Sequence, residues 1–131
     1  DLNALTINKK SIKSISIGIS DQKTKTNFKP LDFAKMMEQN GAGEIMVNSI
    51  DNDGEMQGYD LEMLKNISAE LSIPVVACGG AGTLNHLRDA YEQTQVTAVA
   101  AGSMFVFHGK HKAVLINYPS PIEIESLFSR R

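Results

Sequence analysis

One cysteine, Cys78, stands in 131 residues. A disulfide within the chain is therefore excluded, as is a metal site built only from its own cysteines. No apolar run is long enough to span a bilayer; the longest apolar-rich stretch, near Val96 to Phe107, is short and rich in small residues. No secretory signal opens the chain. Charge of one sign is lacking too: 13 Lys and Arg stand against 15 Asp and Glu, a net charge of −2. That balance gives no general attraction to nucleic acid or acidic membranes, so any basic site must be local. What is present is a 42% apolar composition, enough for a buried core and too apolar for a disordered chain. The expectation is one cytoplasmic, enzyme-like domain over residues 1–131, with no cofactor, metal, nucleic acid or membrane among its ligands.

From Lys29 onward the pattern is regular. Pro30 to Asn40 carries Leu31, Ala34 and Met37 on one helical stripe, with Pro30 suited to a first turn and Asn40-Gly41 to a stop. Glu44 to Ile50 contains the short apolar strand Ile45-Met46-Val47, and Asp51-Asn52-Asp53-Gly54 is a loop of turn-tolerant residues. Tyr59 to Leu71 reads as a helix capped by Asp60, with Leu61, Leu64, Ile67 and Leu71 at helical spacing. The strand Ile73 to Ala77 runs into Gly79-Gly80-Ala81-Gly82. A helix over Leu84 to Glu92 follows, then a strand over Val96 to Ala101 that ends at Gly102-Ser103. Ser120 caps a last helix from Pro121 to Phe128. This alternation predicts consecutive βα units on a parallel sheet buried on both faces. Residues 1–28 differ: Leu5, Ile7, Ile15, Ile17 and Ile19 alternate with polar residues, the pattern of a half-exposed hairpin rather than a buried parallel strand.

Ligands of parallel α/β sheets bind beyond the carboxyl ends of the strands. Three segments hold that position: Asn48 to Gly54, Cys78 to Gly82, and Ala101 to Ser103. Gly79-Gly80-Ala81-Gly82 lets backbone N–H groups approach an anion at the positive end of the next helix, and Ser103 adds a hydroxyl donor one unit later. Either turn alone reads as a tight strand-to-helix corner. Two in succession favour a phosphate. Asp51 and Asp53 read equally as acid–base or hydroxyl-orienting carboxylates and as an Asx-turn pair feeding Gly54. Calcium is rejected, because the ligand series does not continue to the required Glu. His86, in the first turns of a helix, reads as a surface or capping residue. His108, Lys110, His111 and Lys112 read as a solvated basic loop, and Cys78 as a small buried filler.

Gly41-Ala42-Gly43-Glu44-Ile45, Ser49-Ile50-Asp51-Asn52-Asp53-Gly54, Gly58-Tyr59-Asp60, Pro74 to Gly82 and Ala100 to Phe105 resemble, in unbroken order, the cyclase subunit of imidazole glycerol phosphate synthase. That family is a (β/α)8 barrel of roughly 250 residues. The resemblance implies the C-terminal half of such a barrel, with a hairpin-like insertion near its start, completed by an N-terminal half-barrel or by self-association. It implies a lyase that uses ammonia from a glutaminase subunit to convert a bisphosphorylated ribulosyl substrate to imidazole glycerol phosphate and aminoimidazole carboxamide ribotide. Carried onto matching positions, Asp53, Gly54, Gly80, Ala81, Gly102 and Ser103 hold a substrate phosphate. Asp51 lies beside the substrate, Glu44 is a carboxylate of the ammonia gate, and Asp1 matches a catalytic aspartate. Asn48 stands where histidine-pathway cyclases usually carry Thr. The ending Gly109 to Pro119 is more similar to paralogues that supply ammonia for amidino-sugar modification of surface polysaccharide. A non-catalytic phosphate-binding scaffold for a glutaminase is the remaining alternative.

Overall fold

The computed structural model describes residues 5–9, 15–18, 28–108, 111 and 113–129. Asp1, Lys110 and Lys112, all singled out in the sequence, lie outside them. Two strands, β1 (Leu5–Lys9) and β2 (Ile15–Gly18), precede helix α1 (Pro30–Gln39). Strand β3 (Ile45–Ser49), helix α2 (Leu61–Ser68), strand β4 (Val75–Cys78), helix α3 (Leu84–Gln93) and strand β5 (Ala98–Val99) then alternate. A single turn of helix, α4 (Ser103–Val106), leads to strands β6 (Phe107–His108) and β7 (Ala113–Val114) and to helix α5 (Pro121–Phe128).

Strands β2-β1-β3-β4-β5 form one sheet in that order. β3, β4 and β5 are parallel neighbours, with Val47 opposite Ala77 and Ala77 opposite Val99. β1 pairs antiparallel with β2 on one side, and on the other it joins the parallel sheet with Leu5 opposite Val47. The expectation of a hairpin rather than a buried parallel strand is met in the antiparallel pairing of β1 with β2 and corrected by the parallel pairing of β1 with β3. Alternating apolar residues report which face a strand buries but not the direction of its neighbour.

The helix starts have local causes. α1 begins on Pro30, whose fixed φ and missing N–H cost nothing at a first turn. Asp60 accepts from Met63 N at 3.1 Å to cap α2, so the helix begins at Leu61 and leaves Tyr59 outside it. Ser120 and Glu123 form a reciprocal capping box on α5.

Ile45, Val47, Val75, Ala77, Leu64, Ile67, Leu87 and Ala90 make the core between the sheet and its helices. β4 is apolar throughout, and its Val75, Val76 and Ala77 are all buried. β3 alternates instead: Ile45, Val47 and Ser49 are buried, while Met46 on the other face is 39% exposed. Burial on both faces therefore holds for β4 and is corrected for β3, whose opposite face is only partly covered. Among the described residues no helix is long and apolar enough to cross a membrane.

Candidate functional site at the carboxyl ends of the strands

β3, β4 and β5 run parallel, so the three segments that follow them leave the same edge of the sheet side by side. The first, residues 50–58, is folded tightly onto the end of β3. Asn52 N and Asp53 N both donate to Ser49 O, at 3.2 and 2.9 Å, and Glu55 N donates to Asn52 O at 3.1 Å. Gly54 and Gly58 take left-handed φ values of 80° and 111°, and Met56 takes 60°. This geometry exposes the carboxylates of Asp51 and Asp53.

The second segment, Gly79 to Gly82, is packed against the first. Gly58 N donates to Gly80 O at 2.8 Å, and Asn52 Nδ2 donates to Gly58 O at 3.1 Å. Gly80 has φ +111°, and a Cβ there would collide with the Gly58 carbonyl and meet Asn52 Cβ at 2.9 Å. At Gly82 a Cβ would strike the carbonyl of Met56. Glycine is required at both positions by close approach of backbone to backbone. The third segment is different. Gly102 is exposed, a Cβ there would meet nothing within 4 Å, and Ser103 opens α4 directly behind it.

Tyr59 connects the first and third segments. Its ring is 7% exposed, and its hydroxyl donates to Ala100 O at 2.7 Å across the end of β4. Burial pushes that hydroxyl far above the ordinary phenol range, with Cys78 adding to the shift, so Tyr59 is a neutral donor. Burial likewise pushes the Cys78 thiol up, the Asp53 carboxylate adds to the shift, and a hydrogen bond from the Gly79 N–H opposes it. Cys78 is thus a protonated, weakly nucleophilic thiol, half-buried rather than fully buried as expected of a filler. Asn48, opposite Cys78 in the ladder, buries its Oδ1 with no donor in reach among the described residues.

Glu44 is exposed immediately before β3, at the opposite end of that strand from Asp51. Asp51, Asp53, Gly54, Gly80, Ala81, Gly102 and Ser103 all belong to the carboxyl-end segments, and of the expected site residues that are described only Glu44 lies away from them. Among the described residues no group of three or more His, Cys, Asp and Glu is assembled to hold a metal. A cleft of about 250 Å³ lined by Tyr91, Thr94, Leu127 and Phe128 lies at the far end of α3, remote from its glycine-rich start. Sequence reading did not find Tyr59, Asn52 or the bond made by His86. Of these only Tyr59 carried a signal: a large aromatic just before a cap, outside the helical stripe.

A family model described as histidine biosynthesis protein matches residues 4–112. Among curated relatives, an imidazole glycerol phosphate synthase subunit of Pseudomonas aeruginosa is 56% identical over 90 residues, 69% of this chain and 36% of that protein. The subunit HisF of Leptospira interrogans is 49% identical over 104 residues, 79% of this chain and 41% of its own length. Both carry that name provisionally. The subunit HisF of Chlorobaculum parvum, named without that reservation, is 45% identical over 85 residues, 65% of this chain and 34% of its own. The chain thus spans a little over a third of the length of the relatives it matches. With a match covering most of its length, the chain belongs to the histidine biosynthesis protein family, on the branch whose members are named HisF.

Proposed function

We propose that this chain is the C-terminal half of a cyclase-type (β/α)8 barrel, in which Gly80, Ala81, Gly102 and Ser103, with Asp53 and Gly54 beside them, hold one phosphate of a ribulosyl aminoimidazole substrate. The observation that carries this reading is the side-by-side exit of the glycine-lined segments after parallel β4 and β5. A phosphate needs several N–H and O–H donors converging from more than one direction, and neighbouring strand ends supply them. Asp51, exposed beside this edge, orients the substrate or moves protons on it, and Asp1 is the second catalytic carboxylate. Glu44, at the opposite mouth, belongs to the gate through which ammonia from a glutaminase subunit enters. The products are imidazole glycerol phosphate and aminoimidazole carboxamide ribotide, and the setting is cytoplasmic histidine biosynthesis. An N-terminal half-barrel, or a second copy, covers the face that carries Met46.

A second reading rests on Asn48 and on the segment after Phe107. In it the same barrel passes ammonia to an amidino-sugar modification of surface polysaccharide. The readings share the phosphate site and part at the acceptor of ammonia. The test supplies the chain with a complementary N-terminal half-barrel and measures ammonia-dependent turnover of the ribulosyl substrate. Turnover that is lost on Asp1→Asn or Asp51→Asn supports the histidine-pathway cyclase. Tight binding of the substrate without turnover supports the second reading, and stimulation of a glutaminase without either supports a scaffold.

A further inference from the structure

His86 is the third residue of α3 and makes contacts that together reach both packed segments. Its backbone N donates to the cap Thr83, to Oγ1 at 3.3 Å and to the carbonyl at 3.1 Å. Its ring Nδ1 accepts from Gly82 N at 3.1 Å. The same ring lies over Gly58, where an added Cβ would touch it at 3.8 Å. Gly58 in turn holds Gly80 through its N–H and Asn52 through its carbonyl. An ordinary helix cap needs only an acceptor near the first turn. Thr83 fills that role here, and the His86 ring in addition closes a chain from α3 to Gly82, Gly58, Gly80 and Asn52, which spans the 50–58 and 79–82 segments. The Gly82 N–H is committed to the imidazole. Among the described residues, the N–H groups of Gly80 and Ala81 donate to no protein acceptor.

We propose that His86 is a positioning residue for the phosphate site: by accepting from Gly82 and packing on Gly58, it fixes the 79–82 turn against the 50–58 loop and leaves Gly80 and Ala81 as that turn's donors to the anion. The inference rests on the phosphate-site reading above and adds a residue that itself does not touch the phosphate. An acceptor at the Nδ1 position is what the role demands. Asn places its Oδ1 close to that point, whereas Leu fills the volume without accepting.

The test is titration of the 131-residue chain with inorganic phosphate, followed by the amide signals of Gly80, Ala81, Gly82 and Ser103 in nuclear magnetic resonance spectra. In the unaltered chain the Gly80, Ala81 and Ser103 signals are expected to move, with Gly82 nearly still. His86→Leu should weaken phosphate binding about tenfold, the scale of one lost hydrogen bond's worth of positioning, and His86→Asn should stay within about threefold. Should His86→Leu not fold, the unaltered chain still decides, because a Gly82 signal that moves as far as those of Gly80 and Ala81 overturns the proposal. Equal phosphate affinity in folded His86→Leu and the unaltered chain also overturns it while leaving the phosphate site standing. An unaltered chain in which none of these signals responds to phosphate removes the site and, with it, the role of His86.

Discussion

Gly80 and Gly102 follow adjacent strands and carry the same kind of small-residue corner, yet their surroundings are opposite. A Cβ at Gly80 would run into the carbonyl of Gly58, and one at Gly102 would enter open space. The first corner has its shape imposed by a neighbouring loop during folding. The second has no neighbour among the described residues that would exclude a side chain. A glycine held by close packing and a glycine facing open space therefore look identical in sequence and separate only by what surrounds them. Gly80→Ala should break the fold locally, since it adds a left-handed strain at φ +111° to a backbone collision. We expect a loss of about 3 kcal/mol, measured by urea unfolding. A loss below about 1 kcal/mol would mean that the two loops are not in contact.

Tyr59→Phe probes the tie between the corners. Removing the hydroxyl leaves the Ala100 carbonyl, two residues before Gly102, without its 2.7 Å donor. The expected cost is about 1–2 kcal/mol, again by urea unfolding. It should be accompanied by faster amide exchange after β5, because that two-residue strand would keep only the bond from Ala100 N to Ala77 O at its end. Unchanged exchange at Gly102 and Ser103 would show that Tyr59 braces the core only.

Gly102→Ala is the converse experiment. With nothing within 4 Å of the new methyl, stability should change by less than about 0.5 kcal/mol. Phosphate affinity should fall, because the methyl enters the space proposed for the anion. Isothermal titration with phosphate beside a thermal melt separates the two effects. Equal phosphate binding before and after the substitution would place the anion elsewhere and leave the open corner unexplained.

What the sequence made legible were features with local causes. Asp60 and Ser120 cap α2 and α5 as their residue types demand, and the order of strands and helices from α1 to β5 follows from apolar spacing. The glycine-rich segments fall at strand ends for the same reason. Illegible were features set by contacts distant in sequence. The Tyr59–Ala100 bond joins residues 41 apart, and no local pattern encodes it. The parallel pairing of β1 with β3 depends on which edge is free, not on alternation within β1. β6 and β7 have two residues each and α4 is one turn of four, all too short for a period to register. His86 reads as a surface or capping residue; the cap of α3 is Thr83, and the bonds and packing of the His86 ring with Gly82 and Gly58 required the fold.

The amino end of the sheet offers the smallest effect and a control for the others. Glu38, on α1, accepts from Ser72 N and Ser72 Oγ at 2.7 Å each and from Ile73 N at 3.2 Å, just before β4. The Ser72 hydroxyl, then its N–H, holds the carboxyl below its ordinary value of 4.5. A carboxylate whose folded-state pKa is depressed stabilises the fold above its unfolded value and loses that contribution as pH falls through the lower, folded value. Stability should therefore decline on acidification below about pH 4.5, and Glu38→Gln should flatten that part of the profile. These bonds lie at the opposite end of the strands from Gly80 and Gly102, so the substitution should leave phosphate binding at neutral pH untouched. A Glu38→Gln variant with an unchanged acid limb would mean that Ser72 and Ile73 are held equally well by a neutral amide, and that the ionised form contributes nothing of its own.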